Sequence, residues 1–128
     1  MTRYCHVYYI VHMTFGDYIR QIREQLRESD KRYSLRQTAQ RIGVEPAYLS
    51  KIERGDVAPP SEATIRRLAQ DLGVDVDVLL AMAGKVSSDL REIIMRRPRL
   101  FAELIRQLKD APDPAVLRIV REVRDGDW

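Results

Sequence analysis

Apolar residues recur at helical spacing along most of this chain, in short segments separated by glycines, prolines and polar residues. The first segment has a stripe with steps of four, three and four residues, formed by Phe15, Ile19, Ile22 and Leu26. A stripe with this period is typical of an amphipathic helix that buries one face. It predicts a first helix over Phe15–Ser29, which Thr14 or Asp17 could begin, followed by a polar connection.

Residues 34–55 predict two short helices joined by a tight turn. Ser34 can cap the first of them, because its hydroxyl can accept a free backbone N–H of the first turn. Gly43 follows the last apolar position, where a chain leaving a helix often needs a positive φ. Pro46 suits the start of the next helix, since its missing N–H is not needed there, and Gly55 ends the unit. The residues expected to face inward are Leu35, Thr38, Ala39, Ile42, Val44, Leu49 and Ile52.

Two more helices are predicted after a loop whose prolines prevent the helix from continuing. Ser61 can cap the fourth helix, and Gly73 ends it. A short fifth helix is expected at about residues 77–83. The apolar positions expected to be buried in these two helices are Ile65, Leu68, Ala69, Leu72, Val78, Leu79 and Met82. Five helices of this length can share one core, so we predict one all-α domain over residues 13–84.

The remainder of the chain, residues 85–128, predicts three short amphipathic helices of its own. The apolar faces of the last two include Leu100, Phe101, Leu104, Ile105, Leu108, Leu117 and Val120. Three such helices in about 45 residues make a marginal core by themselves. We therefore expect these residues to form a dimerisation surface, covered by the same segment of a second subunit. Packing of the segment back onto residues 13–84 is the alternative.

The first twelve residues differ from the rest, because YCHVYYIVH is rich in the aromatic and β-branched residues typical of strands. We interpret residues 1–12 as an extension upstream of the domain, from a start codon assigned too early. An edge strand that pairs with a partner chain is the other interpretation. The segment lacks the apolar core and cleavage site of a signal peptide, and the single Cys5 excludes an internal disulfide. A reducing cytoplasm is therefore expected.

Composition and charge agree with a soluble helical protein. Of the 128 residues, 45% are apolar and 32% are charged, and no apolar run approaches the length of a membrane span. The net charge is only +3, but residues 20–54, which include the two-helix unit and most of the helix before it, carry nine bases against five acids, whereas residues 55–84 carry two bases against five acids. A basic stripe of this kind raises the affinity for phosphates and makes binding sensitive to salt.

The two-helix unit resembles the helix-turn-helix of Xre-type (Cro/CI-like) DNA-binding regulators. The matching residues are Ser34, Ala39, Gly43, Val44, Leu49, Ser50, Ile52, Glu53, Arg54 and Gly55. YLSKIERG, residues 48–55, is nearly a family signature, and the similarity extends over roughly half of the chain. The resemblance implies a five-helix, lambda-repressor-like DNA-binding domain over residues 13–84, followed by a short helical C-terminal segment.

The family's geometry implies that the second helix of the unit enters the major groove of DNA. The residues expected to read bases are Glu45, Ala47, Tyr48 and Lys51, and those expected to contact phosphates are Arg36, Ser50 and Arg54. Lys51 can donate to guanine, and Ala47 or Tyr48 can touch a thymine methyl group. Glu45 could accept from cytosine or only favour the helix N-terminus, and Tyr48 could be merely a surface aromatic residue.

Three positions also have implications for the structure. Glu53 is not expected to contact DNA, because an acid close to phosphates would be repelled. The resemblance implies instead that Glu53 forms a structural ion pair with Arg23. Leu35 stands where many relatives have a glutamine that touches DNA, so that contact is expected to be absent. Glu45 stands where relatives often have a capping serine or threonine, which predicts a weaker cap.

The resemblance implies a dimeric repressor that binds a palindromic operator of about 12–20 base pairs, with autoregulation as a hypothesis. Two other interpretations stay open. The chain could be an antitoxin whose tail covers a toxin, or a stress or phage-defence repressor cut by an ImmA/IrrE-type metallopeptidase partner, for example at residues 84–88.

An enzyme and a cofactor are not expected. Cys5, His6 and His12 are too few and too scattered to predict a metal site. No nucleophile–base pair or glycine-rich phosphate loop stands out in the sequence. The Ala83–Gly84 bond resembles the cleaved bond of self-processing repressors, but the tail is too short for the β-rich domain that such cleavage requires.

Overall fold

A computed structural model describes residues 13–128 of the chain, which form two compact units. The first unit ends at Ser87, and the second comprises Ser88–Trp128. The expected all-α class is confirmed, since the part of the chain that the structure describes contains helices and turns but no strand. Residues 1–12, and with them the proposed extension and its edge-strand alternative, lie outside the described residues.

Five α-helices make up the described part of the first unit. They are α1 (Phe15–Ser29), α2 (Leu35–Ile42), α3 (Pro46–Arg54), α4 (Glu62–Leu72) and α5 (Val76–Met82). A single 3-10 turn, Lys31–Tyr33, lies in the connection between α1 and α2. It begins at Asp30, whose side chain accepts the backbone N–H of Arg32 at 3.0 Å. The Arg32 guanidinium also hydrogen-bonds this carboxylate and lowers the pKa of Asp30 to about 2.

Hydroxyl or carboxylate side chains cap the N-termini of four of the five helices. Thr14 accepts the backbone N–H of Asp17 and begins α1, while Ser34 and Ser61 cap α2 and α4 in the same way. Such caps satisfy a backbone donor that has no partner inside the helix. Asp75 caps α5, so that this helix begins and ends one residue earlier than the sequence predicted.

One core joins these five helices. Its buried apolar members are Phe15, Ile19, Ala39, Ile42, Leu49, Ile52, Ile65, Leu68, Ala69, Leu72, Leu79 and Leu80. The prediction that Val78 is buried was wrong, because this side chain is 42% exposed and Leu80 is buried instead. With about 100° of rotation per helical residue, a face centred on Leu79 and Leu80 also carries half-buried Val76, and Val78 points away from it.

The second unit consists of α6 (Ser88–Arg96), α7 (Pro98–Leu108) and α8 (Asp113–Asp125). No residue of these three helices is buried in the single chain. Leu100 is 69% exposed and Ile105 is 59% exposed, whereas Phe101 and Leu108 are half-buried. The apolar faces predicted for the tail are therefore largely open to solvent. None of the helices in residues 13–128 combines the length and apolar character that crossing a membrane requires.

Candidate nucleic-acid interface

The turn between α2 and α3 is fixed by its backbone and by a side chain from α4. Gly43 ends α2 with a φ of 78°, a conformation that residues with a side chain rarely adopt. The next N–H, that of Val44, returns to the carbonyl oxygen of Ala39 at 3.0 Å. Arg67 of α4 donates to the carbonyl oxygen of Ile42 at 2.8 Å. The angle between α2 and α3 is thus held by groups that would otherwise lack partners.

The two sides of α3 have different environments. On the inner side, Leu49 and Ile52 are buried against the core. On the outer side, Ala47 and Lys51 are exposed, and Tyr48 is 37% exposed. A rigid inner face and an open outer face are what a helix needs if its outer residues are to meet a groove.

The residues proposed to read bases lie together at the beginning and on the outer side of α3. Glu45 precedes the helix and is exposed, and its side chain makes no capping hydrogen bond. It is followed by Ala47 and Tyr48, with Lys51 one turn later. The carboxylate of Glu45 therefore does not cap α3. This agrees with the weaker cap that the sequence predicted, because shorter side chains are preferred at this position.

The residues proposed to contact phosphates are distributed over α2 and α3. Arg36 lies in the first turn of α2 and is exposed. Ser50 is half-buried and Arg54, one turn further along α3, is exposed. Leu35, where the resemblance implied the absence of a glutamine contact to DNA, is half-buried against the core. Its side chain contributes packing at a position where a glutamine could donate a hydrogen bond.

A buried ion pair fastens α3 to α1. The guanidinium of Arg23 donates to Glu53 through Nε at 2.7 Å and through Nη2 at 2.9 Å, and each residue is only 4% exposed. Arg23 also donates to the carbonyl oxygen of Tyr33 at 3.1 Å. The hydrogen bond with Glu53 raises the pKa of Arg23, so the guanidinium stays charged in the interior. Two parallel hydrogen bonds fix the orientation of both side chains as well as their distance.

The N-terminal turn of α1 also contacts the end of α3, at a glycine that the sequence did not single out. A Cβ atom on Gly16 would lie 2.6 Å from the carbonyl oxygen of Glu53 and closer still to that of Ile52. Real Cβ atoms essentially never approach so closely, so only glycine permits this crossing. A glycine inside a predicted helix, next to Phe15 of its apolar stripe, is the sequence signal that could have identified it.

A cluster of polar side chains from α2, α4 and the 3-10 turn was also not predicted from the sequence. Arg41 donates to Asp71 through Nε at 2.6 Å and lies over the ring of Tyr33, 4.9 Å from its centre. The hydroxyl of Tyr33 donates to the carbonyl oxygen of Asp71 at 3.2 Å. The hydrogen bond with Asp71 raises the pKa of Arg41. Because these groups satisfy one another, we interpret the cluster as a structural connection between α2 and α4.

A metal centre has no support in the part of the chain that the structure describes. Among residues 13–128, no three His, Cys, Asp or Glu side chains are grouped in a way that could hold a metal ion. Cys5, His6 and His12, the residues weighed for such a site in the sequence, lie outside the described residues.

Comparison with known proteins agrees with this geometry. A protein-family model described as a helix-turn-helix domain matches residues 14–82. The chain is 34% identical over 79 residues to the uncharacterized HTH-type transcriptional regulator RghRB of Bacillus subtilis, covering 62% of this chain and 53% of that protein. It is 33% identical over 73 residues to the HTH-type transcriptional repressor RghR of the same organism, covering 57% and 50%.

A third relative is an uncharacterized HTH-type transcriptional regulator of Mycobacterium tuberculosis. It is 39% identical over 69 residues, which cover 54% of this chain and 45% of that protein. The chain thus spans about half the length of the curated relatives it matches. No solved structure matches it at a comparable level of significance.

Proposed function

This chain belongs to the helix-turn-helix domain family, and on that premise we propose that it binds double-stranded DNA sequence-specifically and regulates transcription. The observation that carries the proposal is the outer side of α3. Ala47, Tyr48 and Lys51 are held outward there by the buried residues of the same helix. The major groove of B-DNA is wide enough to admit such a helix. The resemblance to Xre-type regulators is compatible with this proposal.

Lys51 is the most direct test of base reading. Lys51→Ala should remove a donor to guanine and weaken discrimination at one position of each half-site by about 1–3 kcal/mol. The measurement is the affinity for a duplex selected by the wild-type protein and for single-base variants of it. Arg36→Ala is the control, because loss of a phosphate contact should weaken binding to all of these duplexes equally. Unchanged affinities and preferences in Lys51→Ala would refute the assignment of α3 as the reading helix.

We further propose that the second unit joins two copies of the chain. The support is the apolar surface of α6, α7 and α8, in which no residue is buried and several large side chains are more than half exposed. Such a surface is costly to leave in water. A symmetric dimer would hold two reading helices about 34 Å apart and would favour a palindromic operator of about 12–20 base pairs.

A charge placed on the open face of α7 tests the dimer. Leu104→Glu should shift the molar mass in solution from that of two chains to that of one, because it puts a carboxylate into the proposed apolar contact. Light scattering coupled to gel filtration measures this directly. Gln107→Glu adds the same charge on the same helix at an exposed polar position and should leave the mass unchanged. A wild-type protein that is already monomeric would contradict the dimer proposal.

Repression is the regulatory outcome that we propose, since a dimer bound across a promoter excludes the polymerase. One relative is named a transcriptional repressor, which supports this choice. The exposed tail also fits a second candidate, in which a toxin or a metallopeptidase covers the apolar faces in place of a second copy. The mass measurement separates the two, because only the second candidate is compatible with a monomer. A DNA partner implies a cytoplasmic location and requires no cofactor, and both belong to the same proposal.

A further inference from the structure

The chain reverses at the end of α3 and brings an acid beside one of the proposed phosphate contacts. Gly55 has a φ of 77°, and its N–H returns to the carbonyl oxygen of Ile52 at 3.1 Å. The N–H of Asp56 then returns to the carbonyl oxygen of Lys51 at 2.9 Å. This backbone arrangement is that of a Schellman motif, which fixes where Asp56 lies. Nε of Arg54 donates to Oδ2 of Asp56 at 2.9 Å.

The pairing distinguishes Arg54 from the other cations proposed to face DNA. Within residues 13–128, neither Arg36 nor Lys51 forms an ion pair, whereas Arg54 does. The side chains of Arg54 and Asp56 are 55% and 56% exposed, so the pair lies at the surface. The position of Asp56 is electrostatically unfavourable for α3 itself, because the C-terminal end of a helix carries partial negative charge. Stabilisation of the helix end therefore does not account for this carboxylate.

We propose that Asp56 sets the affinity for DNA by occupying the guanidinium of Arg54 in the free protein. Its carboxylate stands where a phosphodiester oxygen would accept from the same nitrogen. The inference rests on the proposed function. In it, a phosphate of the DNA backbone competes with the Asp56 carboxylate for the guanidinium of Arg54. An exposed ion pair is weak enough for a phosphate to displace it. Because phosphates carry no sequence information, Asp56 lowers affinity for specific and nonspecific duplexes alike.

Asp56→Asn in the full chain tests this inference. The variant should bind both a duplex selected by the wild-type protein and an unrelated duplex about two- to fivefold more tightly per reading helix. The slope of log affinity against log salt should change by much less than about 0.9, the contribution of one phosphate, because Arg54 contacts the same phosphate in both proteins once Asp56 is displaced. Base preference should not change, in contrast to Lys51→Ala. Unaltered affinity for both duplexes would overturn the inference.

Arg54→Ala provides the matched background, because a protein without the Arg54 guanidinium has no cation for Asp56→Asn to free. Asp56→Asn added to Arg54→Ala should leave the affinity of that variant unchanged. An equal gain in both backgrounds would mean that Asp56 acts only as a distant negative charge, and would overturn the inference. If the wild-type protein binds no duplex at all, the proposed function fails and this inference with it. If it binds and Asp56→Asn is neutral, only the inference fails.

Discussion

Glu53→Leu is expected to lower the free energy of unfolding by about 3–5 kcal/mol, because it leaves the guanidinium of Arg23 buried without a carboxylate. Arg23 is only 4% exposed, so water cannot replace the lost partner. In a domain of this size each kcal/mol shifts the melting temperature by about 4–8 °C, so a decrease of about 12 °C or more is expected. Urea unfolding followed by circular dichroism measures the free energy of unfolding, and a thermal scan measures the melting temperature.

Two controls give this prediction its specificity. Asp56→Asn breaks an ion pair that is more than half exposed, three residues further along the chain, and should cost less than about 1 kcal/mol. The double variant Arg23→Met with Glu53→Leu removes both charges and should recover much of the stability lost in the single variant. The recovery should be incomplete, because the carbonyl oxygen of Tyr33 loses the donor that Arg23 supplied. Equal stabilities of Glu53→Leu and wild type would show that the buried pair contributes nothing.

Gly16→Ala is expected to destabilise the fold by about 3 kcal/mol, at the upper end of the range for overpacking, because the obstructing atoms are backbone carbonyls. The new Cβ would lie 2.6 Å from the carbonyl oxygen of Glu53, so α1 and α3 must move apart. This loss of stability is the opposite of the usual effect, since alanine normally stabilises a helix relative to glycine by about 1 kcal/mol. Chemical denaturation of the purified variant measures the change.

The same substitution has a second expected effect, on DNA binding. Displacement of α3 from α1 would move this proposed reading helix relative to α2, so affinity for a selected duplex should fall even under conditions where the variant is folded. Gln25→Ala, at an exposed position of α1, is the control for changes in helix propensity and should affect neither measurement appreciably. A Gly16→Ala variant as stable as wild type would mean that the crossing can widen at no cost.

Local patterns in the sequence were sufficient to predict most of the first unit. The spacing of apolar residues in α1 gave its bounds, and Ser34, Gly43 and Ser61 identified the ends of other helices because caps depend on nearby backbone groups. In α5, by contrast, the prediction that Val78 is buried was wrong. In a helix of seven residues, two turns of pattern fix the rotation poorly, and the helix buries Leu79 and Leu80 in the core instead of Val78.

Contacts between distant residues account for what the sequence could not predict without a known family. The pairing of Arg41 with Asp71 joins positions 30 residues apart, and no periodicity encodes it. The close approach at Gly16 depends on the backbone of α3 rather than on any side chain. The pair of Arg23 and Glu53 was anticipated only because the two-helix unit resembles a known family. What covers the second unit is a question about a partner, so it stays a prediction.

The open apolar faces of α6, α7 and α8 also have a consequence for gene dosage. If two copies must meet before these faces are covered, the amount of assembled regulator depends on protein abundance by mass action. While single chains predominate, halving the abundance reduces the assembled form to a quarter. Promoter occupancy would then respond more steeply than synthesis does, and dilution during cell growth would itself act as an inducing signal.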